Sequence, residues 1–373
     1  MKKIKILQVV GQLTIGGQEK MALNFFKYLN REKFQVDYLV YGNDIGVLEK
    51  EVISLGGNVF HISSYKEIGM KKYRKELINV LISNGPYQAI HSHTYLNSGI
   101  ILEVAKKLNI PVRICHCHTT QSGKKENTIY SIYRKLMIKK IKKNGNAFIA
   151  CGIDAGNSFY GIPFFRKNGV IIKNGINLIE YSFDKNKRKE VRKKLNINEN
   201  ILLLGNVSRL SEVKNHKYII KIASKLLHLN IPFKVVFVGD GELEDQLKEL
   251  CKLHNLENYF LFLGNRNDVP DLLQAIDIIL HPSLYEGLPL SLIEAQAVKL
   301  PCIISNNVTK EIKMTKNISF CGIEDENIND WIEEIIKYKN LDRNEDISEL
   351  RKRGYDIVDS CNKLSLIYEN KQI

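Results

Sequence analysis

The chain has 373 residues, 44% hydrophobic and 26% charged, with 24 Gly and 8 Pro, which is globular composition with apolar side chains for more than one core; a single small module, a disordered chain and a collagen-like repeat are excluded. The net charge of +14 is uneven, because residues 1–175 carry 27 basic and 11 acidic side chains, a balance of +16, whereas residues 176–373 carry 28 and 30, a balance of −2. Seven cysteines without a C-x-x-C pair speak against a disulfide framework and a zinc ribbon and suit a reducing cytoplasm, and no apolar run approaches the ~18 residues of a bilayer span.

The N-terminal run MKKIKILQVVGQ is too short for a signal segment and reads as a first strand, Ile4 to Val10. Strand patterns follow at Val36 to Tyr41, Val59 to Ile62, Ala89 to His93, Val112 to His118, Ala147 to Cys151 and Val170 to Lys173, with helical patterns such as Gln18 to Leu29 and Tyr73 to Ile82 between them. The alternation stops near Lys173-Asn174-Gly175, and a polar, lysine-rich stretch, Tyr181 to Lys194, marks the boundary. It then restarts with strands Ile201 to Val207, Phe233 to Val238, Phe260 to Leu263, Ile278 to Leu280 and Cys302 to Ile304. This is the pattern of two doubly wound α/β sheets. The expected division is a first domain over 1–175, a second over 176–355, and a terminal helical segment, about 356–373, that packs back on the first domain.

The most informative stretch is HPSLYEGLPLSLIEAQAVKLP, in which Glu286 and Glu294 are eight positions apart. A helix from Ser291 to Val298 is expected, with Pro289 suited to its first turn and Gly287 relieving the backbone before it. Glu286 then sits at the helix mouth and Glu294 about one turn inside. Backbone N–H groups of Leu288, Leu290 and Ser291, on either side of Pro289, lie at the positive end of the helix dipole, where phosphate binds well. A carboxylate one turn in suits the hydroxyls of a ribose. Together these features describe a cradle for a nucleoside diphosphate.

The segment EGLPLSLIEAQA resembles the E-x7-E motif of retaining glycosyltransferases of the GT-B fold, family 4, and the resemblance extends over nearly the whole chain. GNVSRLSEVKNH matches in order, with Arg209 and Lys214 after the first strand of the second domain, and the family's matching pair holds the donor pyrophosphate. FVGDGELEDQLKEL and LFLGNRNDV match too, the latter placing Gly264 and Arg266 at a nucleobase-facing loop. In the first domain Gly16 and Gly17 resemble the family's glycine loop, while the absence of G-x-G-x-x-G spacing disfavours a nicotinamide cofactor. Cys115-His116-Cys117-His118 holds four potential ligands, but strand alternation sends the two histidines to one side and the two cysteines to the other, so no metal is expected. His118 ends its strand at the ligand-binding edge of the sheet; a satisfied core histidine is the other reading of that position. The family often has a sugar-contacting histidine there. His93, in AIHSHTYLNSG, resembles part of an acceptor-side loop.

The resemblance implies two Rossmann-like domains facing across a cleft and transfer of a hexose from a nucleotide-sugar donor with retention, UDP-sugar in preference to GDP-sugar. It implies no cofactor beyond the donor. With no D-x-D triplet in the chain, Arg209, Lys214 and the helix start are expected to stabilise the departing diphosphate in place of a metal, with Glu286 on the hexose hydroxyls and Glu294 on the ribose. The implied acceptor is a glycan or lipid-linked glycan in exopolysaccharide or capsule synthesis, and the implied location is cytoplasmic, at the inner face of the membrane. Residues 129–143, IYSIYRKLMIKKIKK, give either a helix packed on its own sheet with a solvated basic face or a docking surface for anionic lipid. Nucleic acid, the other anionic partner, is disfavoured because no recognition module or stacking motif accompanies the charge. A nucleotide-sugar epimerase and a catalytically silent nucleotide-sugar-binding scaffold would share the same cradle.

Overall fold

The computed structural model describes residues 3–14, 17–118 and 128–371, and the chain divides into two compact units, Met1–Gly175 with Gly354–Ile373, and Ile176–Arg353. The first unit contains β1 (Ile4–Val9), α1 (Gly17–Tyr28), β2 (Phe34–Tyr41), α2 (Glu49–Ser54), β3 (Val59–Ile62), α3 (Tyr65–Asn84) and β4 (Ala89–Ser92). It continues through α4 (Ser98–Lys107), β5 (Val112–Cys117), α5 (Thr128–Asn144), β6 (Ala147–Ala150), α6 (Ile153–Tyr160), α7 (Ile162–Asn168) and β7 (Gly169–Ile171). The sheet order is β3-β2-β1-β4-β5-β6-β7, and every pairing is parallel. Its strands are short apolar runs because helices cover both faces, as parallel sheets require. Leu7, Val9, Ile90, Cys115 and Cys117 face one core, and Ile6, Val36, Ala89 and Ile114 face the other.

The second unit contains α8 (Lys185–Lys194), β8 (Leu202–Val207), α9 (His216–His228), β9 (Phe233–Val238), α10 (Glu244–Leu253), β10 (Phe260–Phe262) and α11 (Val269–Ala275). After these come β11 (Ile278–His281), α12 (Leu290–Ala297), β12 (Cys302–Ser305), β13 (Ile318–Cys321), α13 (Ile328–Tyr338) and α14 (Ser348–Lys352). Its parallel sheet runs β10-β9-β8-β11-β12-β13. The core centres on Leu204, Phe237, Leu280 and Trp331, whose indole N–H donates to the Gly322 carbonyl at 2.7 Å.

The last helix, α15 (Ile357–Tyr368), belongs to the first unit. Asp356 caps it by accepting from Val358 N, and Ile357, Cys361, Leu364, Ile367 and Tyr368 pack into the core beneath α1. The lysine-rich stretch read as a boundary is in part the helix α8, which begins on the Asp184 cap and buries Val191 and Arg192. The guanidinium of Arg192 donates to Asp277 Oδ2 at 3.2 Å and to the carbonyls of Asn198 and Ile201 at 2.6 Å each, so this helix is part of the second unit's fold.

Candidate functional site

In an open α/β sheet, ligands bind at the carboxyl ends of the strands where strand order reverses. In the second unit that point lies between β8 and β11. The loops leaving these two strands are tied together: Leu284 N donates to the Val213 carbonyl at 2.8 Å, and Asn215 Nδ2 to the Pro282 carbonyl at 3.2 Å. Lys214 arrives on the first loop and Glu286 on the second. They form an ion pair, Nζ to Oε2, at 2.7 Å.

The other carboxylate oxygen of Glu286 accepts from His281 Nε2 and from Ser283 Oγ, both at 2.6 Å. Burial alone would raise the Glu286 pKa, but the His281 hydrogen bond and charge, followed by Lys214, outweigh it and hold the carboxyl near 2. Glu286 is therefore a fixed anion, able to accept from hydroxyl groups but not placed to donate a proton. Behind it, His216 Nε2 lies 3.1 Å from Asn206 Oδ1 and 3.2 Å from Ser208 Oγ, while burial lowers the His216 pKa to about 3.

Immediately beyond Glu286, α12 starts at Leu290 with Pro289 as its N-cap, and no side chain caps the first turn. The helix covers Leu290, Ser291 and the half-buried Glu294, one turn in, where sequence spacing places it. Gly287 is not in the left-handed region, and a Cβ there would meet nothing within 4 Å. This differs from the expected backbone role: glycine at 287 leaves open space before the helix start, beside Leu288. Arg209 also leaves β8, but it is exposed and pairs with Glu242 at 3.0 Å rather than with the Lys214–Glu286 pair. Gly264 sits in the left-handed region that favours glycine, with φ of +63°, and its carbonyl accepts from Gly239 N at 2.8 Å. Arg266 is held by Asp268 at 2.6 Å.

In the first unit the reversal lies between β1 and β4. Gly17 opens α1 there, with nothing within 4 Å of where its Cβ would be, while Gly16 lies outside the described residues. Gln18 Nε2 donates to the His93 carbonyl at 2.9 Å and so ties the start of α1 to the β4 exit. His91 and His93 from the β4 end and His116 and His118 from the β5 end form a stack. The centroids of His91 and His93 are 4.2 Å apart, and those of His116 and His118 4.1 Å. Burial pushes all four pKa values down, that of His118 to about 3, so the imidazoles are neutral.

Nitrogens of His91, His93 and His116 lie within 4.8 Å of one another, but an ion must lie in the plane of each ring it binds. The His91 and His93 rings stack at 30° with lone pairs side by side, and their nitrogens are already hydrogen-bonded, so we assign no metal site. Cys115 and Cys117 face the opposite core, with Cys117 Sγ donating to the Ala155 carbonyl at 3.7 Å.

Residues 187–355 match the family model described as glycosyl transferases group 1, and residues 15–180 match that of glycosyltransferase family 4. The chain is 32% identical to the putative glycosyltransferase EpsF of Bacillus subtilis, over 98% of this chain and 96% of that one. The chain belongs to the family 4 glycosyltransferases. An Escherichia coli relative, the UDP-Gal:alpha-D-GlcNAc-diphosphoundecaprenol alpha-1,3-galactosyltransferase, is 30% identical over 82% of this chain and 80% of its own. Anabaena HepE in complex with UDP matches with a TM-score of 0.75 at 18% identity, covering 99% of this chain and all of that one, which establishes the two-domain GT-B fold.

In this glycosyltransferase, sequence reasoning singled out Lys214, Glu286, His93 and His118 but missed the groups that fix them. His281 and Ser283 lie in the quoted motif and carried no separate signal. The repeated H-x-H at 91–93 and 116–118 was a usable sign that two neighbouring strands send histidines to one face. Gln8 and Tyr368, which join that stack, had no sequence signal at all.

Proposed function

We propose that this glycosyltransferase transfers a hexose, with retention, from a UDP-sugar to a lipid-linked glycan acceptor during surface polysaccharide synthesis. The observation that carries this reading is the Lys214–Glu286 pair at the strand-order reversal of the second unit, beside the uncapped start of α12. In this reading the second unit holds the donor: helix-start N–H groups and Lys214 take the diphosphate, Glu294 the ribose, Gly264 and Arg266 the base side, and Glu286 the hexose hydroxyls. The first unit supplies the acceptor-side groups, with His118 contacting the transferred sugar and His93 beside it. HepE's bound UDP and the diphosphate-linked acceptor named for the Escherichia coli relative support the choice of donor and acceptor.

During transfer the bond from the anomeric carbon to the β-phosphate oxygen breaks. The acceptor oxygen bonds to the same face of that carbon, and its proton leaves with the departing diphosphate. Negative charge grows on the leaving group, where Lys214 and Arg209 supply cations. Arg209 must exchange Glu242 for phosphate, and because an exposed ion pair is worth about 0.2–1 kcal/mol, the exchange costs little. With these cations in place, activity is proposed to be metal-independent.

A second surface suits the proposed acceptor. The outward face of α5 exposes Ile129, Ile132 and Leu136 together with Lys135, Lys139 and Lys143, which fits the inner face of an anionic membrane. Among the described residues no helix is long and apolar enough to cross a membrane. The test is a thermal-shift panel of UDP-, GDP- and ADP-sugars, followed by transfer to an undecaprenyl-diphosphate sugar with and without EDTA. Stabilisation by a UDP-sugar and chelator-resistant transfer with retained configuration are expected. A nucleotide sugar epimerised without acceptor, or donor binding without turnover for any acceptor, would replace this reading.

A further inference from the structure

The two strands that flank the second unit's reversal point stop pairing early. β8 pairs with β11 through Leu204 with Ile278 and Gly205 with Ile279, and that register ends there, although β8 stays beside β9 as far as Val207 and β11 beside β12 as far as His281. In the first unit the corresponding strands, β1 and β4, remain in register to Val9 and Ser92. The next pair along β8 and β11 would be Asn206 and Leu280, and there a side chain takes over from the main-chain ladder. Asn206, 1% exposed, donates from Nδ2 to the Leu280 carbonyl at 2.7 Å. Its Oδ1 accepts from Ser208 Oγ at 2.6 Å and from His216 Nε2 at 3.1 Å. The main chain fixes the sense of this amide: turned over, it would set its oxygen against the Leu280 carbonyl oxygen, and neither atom can donate. Each arm of the amide ends next to a residue of the proposed donor site. Leu280 precedes His281, whose Nε2 donates to Glu286 Oε1 at 2.6 Å. His216 opens α9 two residues after Lys214, and Ser208 adjoins Arg209.

We propose that Asn206 is a positioning residue for the Lys214–Glu286 pair: it sets how far the exits of β8 and β11 part, and so holds Lys214 where it meets both Glu286 and the leaving diphosphate. This rests on the reading of Lys214 as the cation facing the leaving group. Asn206 itself is buried and touches no substrate. Lys214 is a point charge on a flexible stem, 21% exposed, so the place of its ammonium depends on where the loop carrying it is anchored. That loop has two anchors across the opening, the Asn206 amide at its base and Asn215 Nδ2 on the Pro282 carbonyl further out. The inner anchor lies in a dry interior, where a fully satisfied polar cluster is rigid and costly to break. Displacing a reacting group by about 1 Å costs on the order of a hundredfold in rate, which is the scale available to an anchor that never meets the substrate. The uncapped start of α12 and Glu294 lie beyond β11 and hydrogen-bond neither to Asn206 nor to its partners in the bonds given above, so donor affinity is expected to be largely independent of this amide.

The test is a pair of double-mutant cycles in the full-length enzyme, read by steady-state kinetics with the cognate UDP-sugar and acceptor and by calorimetry with UDP. Asn206→Ala removes all three hydrogen bonds and leaves room for a water to bond the freed groups. It should lower kcat about 30- to 100-fold while UDP affinity changes by less than about threefold, the split of a group that acts on the transition state. With Lys214→Ala already in place, adding Asn206→Ala should cost kcat no more than about twofold further, because both act through one ammonium group. With Glu294→Ala in place, the same addition should cost its full factor. A merely structural asparagine would multiply its loss on both backgrounds alike. Where alanine does not give a folded protein by circular dichroism, Asn206→Asp, of the same shape, takes its place in both cycles at pH 8: its carboxylate still accepts from Ser208 and His216 but has no proton for the Leu280 carbonyl. Equal losses on the two backgrounds, or an unchanged kcat in a folded Asn206 variant, would overturn the proposal. Full kcat in Lys214→Ala alone would instead overturn the reading of Lys214 on which it rests.

Discussion

At the residue scale, Lys214 has one carboxylate partner and a proposed phosphate partner, whereas Glu286 is held by three, His281, Ser283 and Lys214, and has acceptor capacity left for a hydroxyl. The two residues should therefore fail differently. Lys214→Ala leaves Glu286 ionised on His281 but removes the cation facing the leaving group, so kcat should fall roughly 100- to 1,000-fold, the scale of a lost transition-state donor. Steady-state kinetics with the cognate UDP-sugar measures this, and an unchanged kcat would remove Lys214 from the chemistry. Glu294, one turn into α12, belongs to ground-state binding in the proposed scheme. Glu294→Ala should weaken UDP affinity about tenfold by calorimetry while changing kcat little, since hydrogen bonds to a charged acceptor contribute about 1.5–3 kcal/mol.

At the element scale, the strand–helix alternation was legible because parallel strands buried on both faces read as short β-branched runs, and most boundaries fell within a residue or two. The exceptions have physical causes. β13, ISFC, is too short and too mixed to stand out, and α8, KNKRKEVRKK, looks like solvated linker because its buried anchors are one valine and the stem of Arg192. The site divides the same way: the loop residues of EGLPLSLIE are contiguous and could be read, whereas the histidine stack needs β4 beside β5, a pairing that no local spacing reveals. The orientation of α5 was likewise undecided in sequence. In the structure Met137 and Ile141 face inward, Lys140 pairs with Glu103 at 3.0 Å and Arg134 donates to the Ser158 carbonyl at 2.7 Å, so only part of the positive charge points out. Neutralising Lys135, Lys139 and Lys143 together should remove about 3 kcal/mol of attraction to anionic lipid, roughly a hundredfold in partitioning. Vesicle sedimentation with phosphatidylglycerol measures it. Equal binding to neutral vesicles by the unsubstituted protein would rule out the electrostatic part.

At the scale of the whole molecule, the two units differ in how they meet acid. The first holds four neutral histidines, the buried His91, His93 and His116 and the half-buried His118, none with a carboxylate partner among the described residues, and the second buries His216. Each has a folded pKa below its unfolded value of 6.5, so on acidification the unfolded chain takes up protons that the folded chain refuses. The stability these groups contribute is therefore complete above pH 6.5 and falls as pH drops below it, by about 1.4 kcal/mol per pH unit for each group. With four such groups against one, the first unit should lose stability several times more steeply. The chain's single tryptophan, Trp331, is buried in the second unit and reports on that unit alone. Between pH 7.5 and 5, the far-UV circular dichroism melt should thus develop an early transition that Trp331 fluorescence does not follow. Replacing His91 and His116 together by glutamine, which does not titrate, should flatten the pH slope of that early transition by about half. Fluorescence and dichroism transitions that move down in step at every pH would mean that the histidine stack does not set the acid limit of the fold.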